Sequence, residues 1–134
     1  MSRIISISEA GTIAIHVMVL IANSRKKNIN VIKLAELTGA NKNHISKVMQ
    51  RLVKLKMITS TRGPSGGFVL SKPPSRYTLL SIYEAVEGKM DIPECPFDNK
   101  ICPFHKCLMN GIVHKLTDEI KEYFGSQKLS DLMK

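Results

Sequence analysis

Residues 34–52 read LAELTGANKNHISKVMQRL and predict two short helices joined by a glycine turn. Gly39 should end the first helix, because glycine readily adopts the left-handed backbone that stops helices. Asn41 is a good N-cap for the second helix, which we expect over residues 42–55. One face of that helix is apolar and should be buried: Ile45, Val48, Met49, Leu52 and Leu55. The stretch therefore predicts a helix-turn-helix unit.

The opposite face of the second helix is polar and basic. It carries Lys42, Asn43, Ser46, Lys47, Gln50 and Arg51. The phosphate-contacting candidates are Lys42, Lys47 and Arg51, because cationic side chains bind the DNA backbone. The candidates for reading base edges are Asn43, Ser46 and Gln50. The competing interpretation is an ordinary solvated helix face.

Two β-prone segments, Ile58–Thr61 and Gly67–Leu70, flank the loop RGPSG at residues 62–66. Glycine and proline permit a tight turn there, so the region predicts a β-hairpin. Arg62 would lie at the hairpin tip, a suitable place for insertion into a narrow minor groove. Its alternative role is a local hydrogen bond that caps the hairpin. Helix, turn, helix and hairpin in this order predict a winged helix-turn-helix.

Helical signals continue on both sides of this unit. We expect a first helix over residues 8–24, opened by a capping box between Ser6 and Glu9. An extended segment over residues 29–32 should lead into the helix-turn-helix. Thr78 is a plausible cap for a further helix after the hairpin.

Apolar residues then repeat every four positions near the C-terminus. They are Leu108, Ile112, Leu116, Ile120 and Phe124, with Met109, Val113 and Tyr123 widening the stripe. This pattern predicts a long amphipathic helix over residues 108–124 that Gly125 ends. Its apolar face needs a partner. The fold class predicted for the whole chain is mainly α-helical with a small β-hairpin.

Composition narrows the class of partner. Of the 134 residues, 20 are Lys or Arg and 11 are Asp or Glu, giving a formal charge of +9. Such a surplus favours a polyanion such as nucleic acid or an acidic membrane face. The longest apolar stretch is too short to span a bilayer. Because residues 1–8 lack the features of a secretory signal, we expect a protein of the reducing cytoplasm, whose cysteines are not disulfides.

All three cysteines, Cys95, Cys102 and Cys107, lie in one short segment, separated by six and four residues. Lys100 and Lys106 nearby favour the thiolate form that binds metals. An odd number of clustered cysteines indicates a metal or redox site. Three possibilities stay open: an iron-sulfur cluster, a zinc site completed by His105, and bare thiols that sense oxidants.

At this point the chain resembles the iron-sulfur and nitric-oxide responsive regulators typified by IscR and NsrR, of the Rrf-two superfamily. The resemblance covers nearly the whole chain: EAG at residues 9–11, LAELTG at 34–39, the segment 45–52, the wing RGPSGGFVL at 62–70, and the cysteine loop. The wing motif is the most specific part. The resemblance implies a homodimer that pairs through the C-terminal helix and binds a palindromic operator in double-stranded DNA.

The resemblance also implies a ligand set. Family members with a cluster have three cysteines here, although Cys102 is shifted by one position. In one branch a histidine three residues after the last cysteine completes the site, and Asn110 stands there in this chain. In the other branch a carboxylate from the partner's first helix does so, and Glu9 matches that place. We rank Glu9 first as fourth ligand and His105 second; the competing role of Glu9 is the capping box.

Three regions follow from these arguments: a winged helix-turn-helix over residues 1–88, whose first helix also packs on the partner, a cysteine loop over 89–107, and a dimerisation helix with its tail over 108–134. We expect a DNA-binding regulator, a repressor in some family members. An iron-sulfur cluster, 2Fe–2S or 4Fe–4S, would control its operator binding. The alternative is a thiol-based or zinc-binding regulator. A further alternative is a protein-interaction adaptor that uses the basic face to bind acidic partners or membranes.

An enzyme would need Cys102 as nucleophile and His105 as base. The sequence offers neither a third residue to orient the base nor an oxyanion hole. We therefore do not expect an enzyme.

Overall fold

The computed structural model describes residues 6–24, 27–90 and 102–134. The helices are α1 (Glu9–Asn23), α2 (Val31–Thr38), α3 (Lys42–Lys54), α4 (Leu79–Glu87) and α5 (Ile112–Ser126). Strands β1 (Ile58–Thr61) and β2 (Gly67–Leu70) form the hairpin, and short 3-10 turns occupy Pro74–Arg76 and Leu129–Leu132. The predicted fold class, mainly α-helical with one small hairpin, is confirmed.

The start of α1 differs from the prediction. Ser8, not Ser6, is the N-cap, and its Oγ accepts a hydrogen bond from the Gly11 backbone N–H at 3.0 Å. Glu9 is consequently the first residue of the helix rather than the third, so the capping box between Ser6 and Glu9 is wrong. A capping side chain reaches only two or three residues ahead, which makes the residue next to the helix the effective one.

Helix α1 lies at the centre of the domain and contacts α2, α3, α4 and β2. The largest fully buried side chains come from nearly every element: Val17, Met18, Leu34, Ile45, Met49, Leu52, Ile58, Ile82 and Leu129. Buried apolar surface stabilises the fold by about 25 cal/mol per Å². The helix-turn-helix unit therefore has a core built within one chain.

Helix α2 begins earlier than predicted. Asn30 caps it by accepting a hydrogen bond from the Lys33 N–H at 2.8 Å, so Val31 and Ile32 are helical. Of the predicted extended segment, Ile29 alone pairs with the hairpin, opposite Phe68. A short asparagine cap outweighed the β-propensity of two branched residues.

The turn into α3 follows the prediction. Gly39 has a φ of 72° and ends α2, and the Asn41 side chain accepts from the Asn43 N–H at 2.8 Å. Leu55, predicted to be buried, is 48% exposed. Helix α3 ends one residue before it, and Lys56 has a φ of 62° that turns the chain away from the buried stripe.

The hairpin is antiparallel, with Ile58 opposite Leu70 and Thr61 opposite Gly67. Tyr77 fastens its open end, since its hydroxyl donates to the Met57 carbonyl at 2.6 Å and accepts from the Lys72 N–H at 3.1 Å. Burial is the largest influence on this hydroxyl and raises the pKa of Tyr77. Thr78 then caps α4, as predicted, by accepting from the Ser81 N–H at 3.0 Å.

Helix α5 is displaced from its predicted bounds. It starts at Ile112 because Asn110 and Gly111 both have positive φ, 54° and 64°, which interrupts a helix. Leu108 therefore precedes the helix, and Gly125 lies inside it rather than ending it. Against α4, Phe124 packs edge-on to Tyr83 with ring centroids 5.9 Å apart. No residue of α5 is buried within the chain.

In the part of the chain that the structure describes, none of the helices is both long enough and apolar enough to cross a membrane.

Candidate nucleic-acid interface and cysteine segment

Helix α3 presents the predicted polar face to solvent. The burial of Ile45, Val48, Met49 and Leu52 sets the rotation of the helix. Five of the six predicted DNA-binding side chains are exposed and Ser46 is half-buried. The six are Lys42, Asn43, Ser46, Lys47, Gln50 and Arg51. Their common exposure leaves this face free to enter a major groove.

Arg51 also has an internal contact. Its Nε donates a hydrogen bond at 3.0 Å to the carbonyl of Ala85, near the end of α4. A guanidinium has five N–H donors, so one bond to the protein leaves others for a phosphate. The sequence did not indicate this bond because its partner lies 34 residues away.

A groove of about 390 Å³ separates α3 from the hairpin. Its polar lining includes Gln50, Lys54 and Ser60, and its apolar lining includes Phe68. The sequence analysis did not name Lys54 or Ser60. Helical periodicity contained the signal for Lys54, which follows Gln50 by four positions and so shares its face. The hairpin's fold against α3 decided the place of Ser60.

Arg62 is exposed at the beginning of the hairpin loop. Gly63 next to it has a φ of 107°, and the Gly66 N–H donates to the Gly63 carbonyl at 2.9 Å, which closes the turn. Among the described residues, the Arg62 side chain makes no hydrogen bond or ion pair. Its predicted alternative, a local hydrogen bond capping the hairpin, is therefore not formed within that part of the chain.

Glu9 faces helix α3 of its own chain. Its Oε1 lies 3.3 Å from Nδ1 of His44, and their side chains are 69% and 53% exposed. The pair borders a cavity of about 280 Å³ between α1 and α3. No role for His44 was predicted, because two residues 35 positions apart have no shared local signal.

Of the predicted cysteine ligands, Cys95 lies outside the described residues. Cys102 is half-buried and Cys107 is exposed, and both are free thiols. His105, the second-ranked fourth ligand, is exposed between them. Across residues 6–24, 27–90 and 102–134, no three His, Cys, Asp or Glu side chains come together as a metal-binding group.

Cys107 occupies the turn that leads into α5. Hydrogen bonds from the backbone N–H of Gly111, then of Met109, and to a smaller extent of Asn110, lower the pKa of this thiol. Partial desolvation of the thiol by neighbouring atoms acts in the opposite direction. Thiolate is the form that ligates iron or zinc, and N–H groups aimed at sulfur tune iron-sulfur clusters. The donor chemistry of this turn therefore fits a cluster.

One protein-family model, Rrf2, described as an iron-dependent transcriptional regulator, matches residues 7–134. The chain is similar to the HTH-type transcriptional regulator IscR of Xenorhabdus nematophila, at 24% identity over 96% of this chain and 79% of that protein. It is also similar to a putative HTH-type transcriptional regulator of Neisseria meningitidis, at 23% identity over 92% and 84%.

Solved structures share the fold. CymR, the global cysteine regulator of B. subtilis, matches with a TM-score of 0.76 and 22% identity, covering 96% of each chain. The T. potens IscR matches with a TM-score of 0.74 and 20% identity, over 96% of this chain and 85% of that one. The family match and the relatives' names agree with the prediction of a transcriptional regulator that is not an enzyme. The chain belongs to the Rrf2 family of transcriptional regulators.

Proposed function

We propose that this protein is a cytoplasmic, dimeric regulator whose affinity for a palindromic operator is set by an iron-sulfur cluster on its cysteine segment. The observation that carries the cluster assignment is the pair of free thiols, Cys102 and Cys107, that the segment before α5 provides, because thiolates are the ligands of such clusters. The family's description as iron-dependent supports the same cofactor.

DNA recognition rests on α3 and the hairpin. Lys42, Lys47 and the unused donors of Arg51 would bind phosphates, while Asn43, Ser46 and Gln50 read bases in the major groove. Arg62 would enter the adjacent minor groove. The strand of DNA between these grooves must then cross the space between α3 and the hairpin, so we assign further phosphate contacts to Lys54 and Ser60.

Dimerisation is inferred from α5 and the turn before it. Several large apolar side chains there are exposed: Leu108, Met109, Ile112 and Tyr123. Several exposed large apolar side chains on one segment are typical of an interface. In a twofold dimer each recognition helix would face one half-site, with the two half-sites about 34 Å apart. The regions over residues 1–88, 89–107 and 108–134 would thus bind DNA, hold the cofactor and pair the subunits.

The cluster would be held by Cys95, Cys102 and Cys107. When bound, it supplies a redox-active, nitric-oxide-reactive iron centre. Glu9 of the partner subunit remains our first choice of fourth ligand and His105 our second. Ligation by Glu9 requires its carboxylate to leave His44, which costs little because both side chains are largely exposed and surface contacts of this kind contribute little to stability.

Thiol chemistry without iron is the second candidate function. Cys107 is exposed, and its lowered pKa favours the thiolate that oxidants attack. The fold is shared with the oxidized form of CymR from Staphylococcus aureus, at a TM-score of 0.74 and 18% identity. A zinc-bound form would use the same thiolates.

The test is an anaerobic visible spectrum of the purified protein with iron and sulfide analysis, repeated on Cys102→Ala. We expect charge-transfer absorption that the variant loses. DNA affinity of the loaded and the iron-free protein is then compared on a duplex enriched from a random pool. A colourless protein after anaerobic reconstitution would contradict the cluster and direct attention to oxidation or zinc. Failure to enrich any duplex would contradict DNA binding itself.

A further inference from the structure

The loop of the hairpin is fastened by a residue from outside the hairpin. The Nδ2 of Asn28 donates hydrogen bonds to the Ser65 carbonyl at 2.8 Å and to Thr61 Oγ1 at 3.0 Å. These two acceptors stand on either side of Arg62. One amide group therefore joins the end of β1 to the far side of the loop.

The segment that carries Asn28 is itself held against the hairpin. The Phe68 N–H donates to the Ile29 carbonyl at 2.9 Å, and the Ile29 N–H points back to the Phe68 carbonyl at 3.5 Å. Ile29 is buried, and Gly67 lies so close that a Cβ there would be 2.7 Å from the Ile29 carbonyl oxygen. The backbone beside Asn28 thus has a fixed place relative to the loop.

Among the described residues, the loop has few other bonds; at its base Thr61 Oγ1 donates to the Gly67 carbonyl at 3.4 Å. Residues 62–65 are exposed, and the described hydrogen bonds within the loop include the backbone bond from Gly66 to Gly63 at 2.9 Å. An exposed loop must lose conformational freedom when it enters a groove, and a loop ordered beforehand loses less. The two bonds from Asn28 provide such ordering on both sides of Arg62.

We propose that Asn28 is a positioning residue for DNA binding: by bonding to Thr61 and Ser65 it holds the loop so that Arg62 is presented to the minor groove. This inference rests on the proposed function. Asparagine suits the task because its amide carries two donor hydrogens on a short side chain. An aspartate of the same shape has no N–H donor. Its carboxylate oxygen would face the Ser65 carbonyl oxygen, and neither could donate a hydrogen bond.

The test is a double-mutant cycle on a duplex enriched from a random pool by the wild-type protein. We expect Arg62→Ala to weaken binding about tenfold, the usual effect of losing one groove contact. Asn28→Ala should weaken it about threefold to fivefold because Arg62 is then less ordered. The double variant should bind within about twofold of Arg62→Ala alone, since Asn28 acts through Arg62.

A purely structural role gives a different pattern. If Asn28 acts independently of Arg62, the two effects multiply and the double variant binds about thirtyfold or more weakly than wild type. Additive effects would overturn the inference, as would an unchanged affinity of Asn28→Ala. Wild-type protein that enriches no duplex would instead contradict the proposed function.

Dimethyl sulfate footprinting supplies a second readout, since it methylates adenine N3 in the minor groove and guanine N7 in the major groove. Asn28→Ala should lose minor-groove protection and keep major-groove protection. Two variants control for folding and charge. Thr61→Val removes one of the two acceptors, together with the long hydrogen bond that Thr61 Oγ1 donates to the Gly67 carbonyl at 3.4 Å, and should fall between wild type and Asn28→Ala. Asn28→Asp removes the amide donors and should weaken binding at least as much as Asn28→Ala. Asn23→Asp adds the same charge while keeping the oxygen that accepts from the Lys134 N–H, and should bind as wild type.

Discussion

Helix α3, of 13 residues, buries four of its apolar side chains within its own chain, whereas α5, of 15 residues, buries none. Both helices carry an apolar stripe at helical spacing. The difference lies in their surroundings, because α1, α2, α4 and β1 pack around α3 while α5 contacts chiefly α4. Among the described residues, the helix-turn-helix unit thus forms its core within one copy, whereas α5 and the turn before it leave large apolar side chains exposed.

The largest effect is expected from a charge placed among the exposed apolar side chains of α5. Ile112→Glu should convert the dimer to monomer, because an unpaired charge buried in an interface costs about 3–5 kcal/mol. That is a loss of at least about a hundredfold in dimer affinity. Sedimentation equilibrium measures it. Ile112→Val should remain dimeric, and a dimer that survives Ile112→Glu would remove α5 from the interface.

Two leucines at the end of α3 test whether the core of the helix-turn-helix unit is formed within one chain. Leu52 is fully buried and Leu55 is 48% exposed, three residues along the same helix end. Leu52→Ala should lower the free energy of unfolding by about 2–5 kcal/mol through lost burial and a cavity. Leu55→Ala should change it by less than about 0.5 kcal/mol. Urea titration followed by circular dichroism distinguishes them, and equal effects would contradict the observed end of α3.

Tyr77 tests the hydrogen bonds that close the hairpin. Tyr77→Phe should lower the free energy of unfolding by about 1–3 kcal/mol, because it leaves the Met57 carbonyl and the Lys72 N–H without this partner. The exposed Tyr123 is the matched control, and Tyr123→Phe should be nearly neutral. Urea titrations of both variants make the measurement.

The same hydroxyl predicts a pH dependence. The pKa of Tyr77 is raised in the folded protein, so the unfolded chain releases this proton first as the pH rises. Its contribution to stability is complete below about pH 10, the ordinary tyrosine value, and is lost as the pH rises towards the folded pKa. In Tyr77→Phe this alkaline loss should be smaller. A wild-type stability that is no more alkali-sensitive than the variant's would contradict the burial effect.

The salt dependence of DNA binding should distinguish a lysine on α3 from a lysine on α5. Lys47→Ala should weaken DNA binding at low salt and reduce the slope of log affinity against log salt by about one. Lys115→Ala on α5 removes the same charge from the C-terminal half and should leave the slope unchanged. A slope that responds equally to both variants would indicate diffuse attraction rather than contact through α3.

The smallest effect concerns Cys107, which is fully exposed. In metal-free Cys95→Ser/Cys102→Ser protein, alkylation by iodoacetamide should reach half its maximal rate at a lower pH than in the same protein unfolded in urea. The reason is the lowered pKa that the backbone N–H groups of Gly111 and Met109 produce in the fold. Identical pH profiles would show that this turn is not formed in the metal-free protein.

Much of the DNA-binding half was predictable because its signals are local. Gly39 ends a helix, and Asn41 and Thr78 cap helices. Each bonds to residues within four positions of itself, so its role can be predicted from the neighbouring sequence. The choice of Ser6 over Ser8 as the cap of α1 was wrong because two serines offered similar patterns and only the first helical residue distinguished them.

The start of α5 was harder to predict. The apolar repeat continues back to Leu108, yet Asn110 and Gly111 adopt positive φ and break the helix. Periodicity reports which face is apolar, but it does not report the backbone conformation that a glycine takes. The turn formed there also surrounds Cys107 with backbone donors, which no cysteine spacing indicates.

The sequence by itself determined the order of helices and hairpin, the polar face of α3 and the clustering of the cysteines. Each follows from periodicity, caps or spacing within a few residues. Only the tertiary structure decided that Arg51 bonds to Ala85, that Glu9 meets His44, and that Asn28 fastens the hairpin loop. These contacts join residues about 35 positions apart, and a single polar side chain carries no local signal of its distant partner.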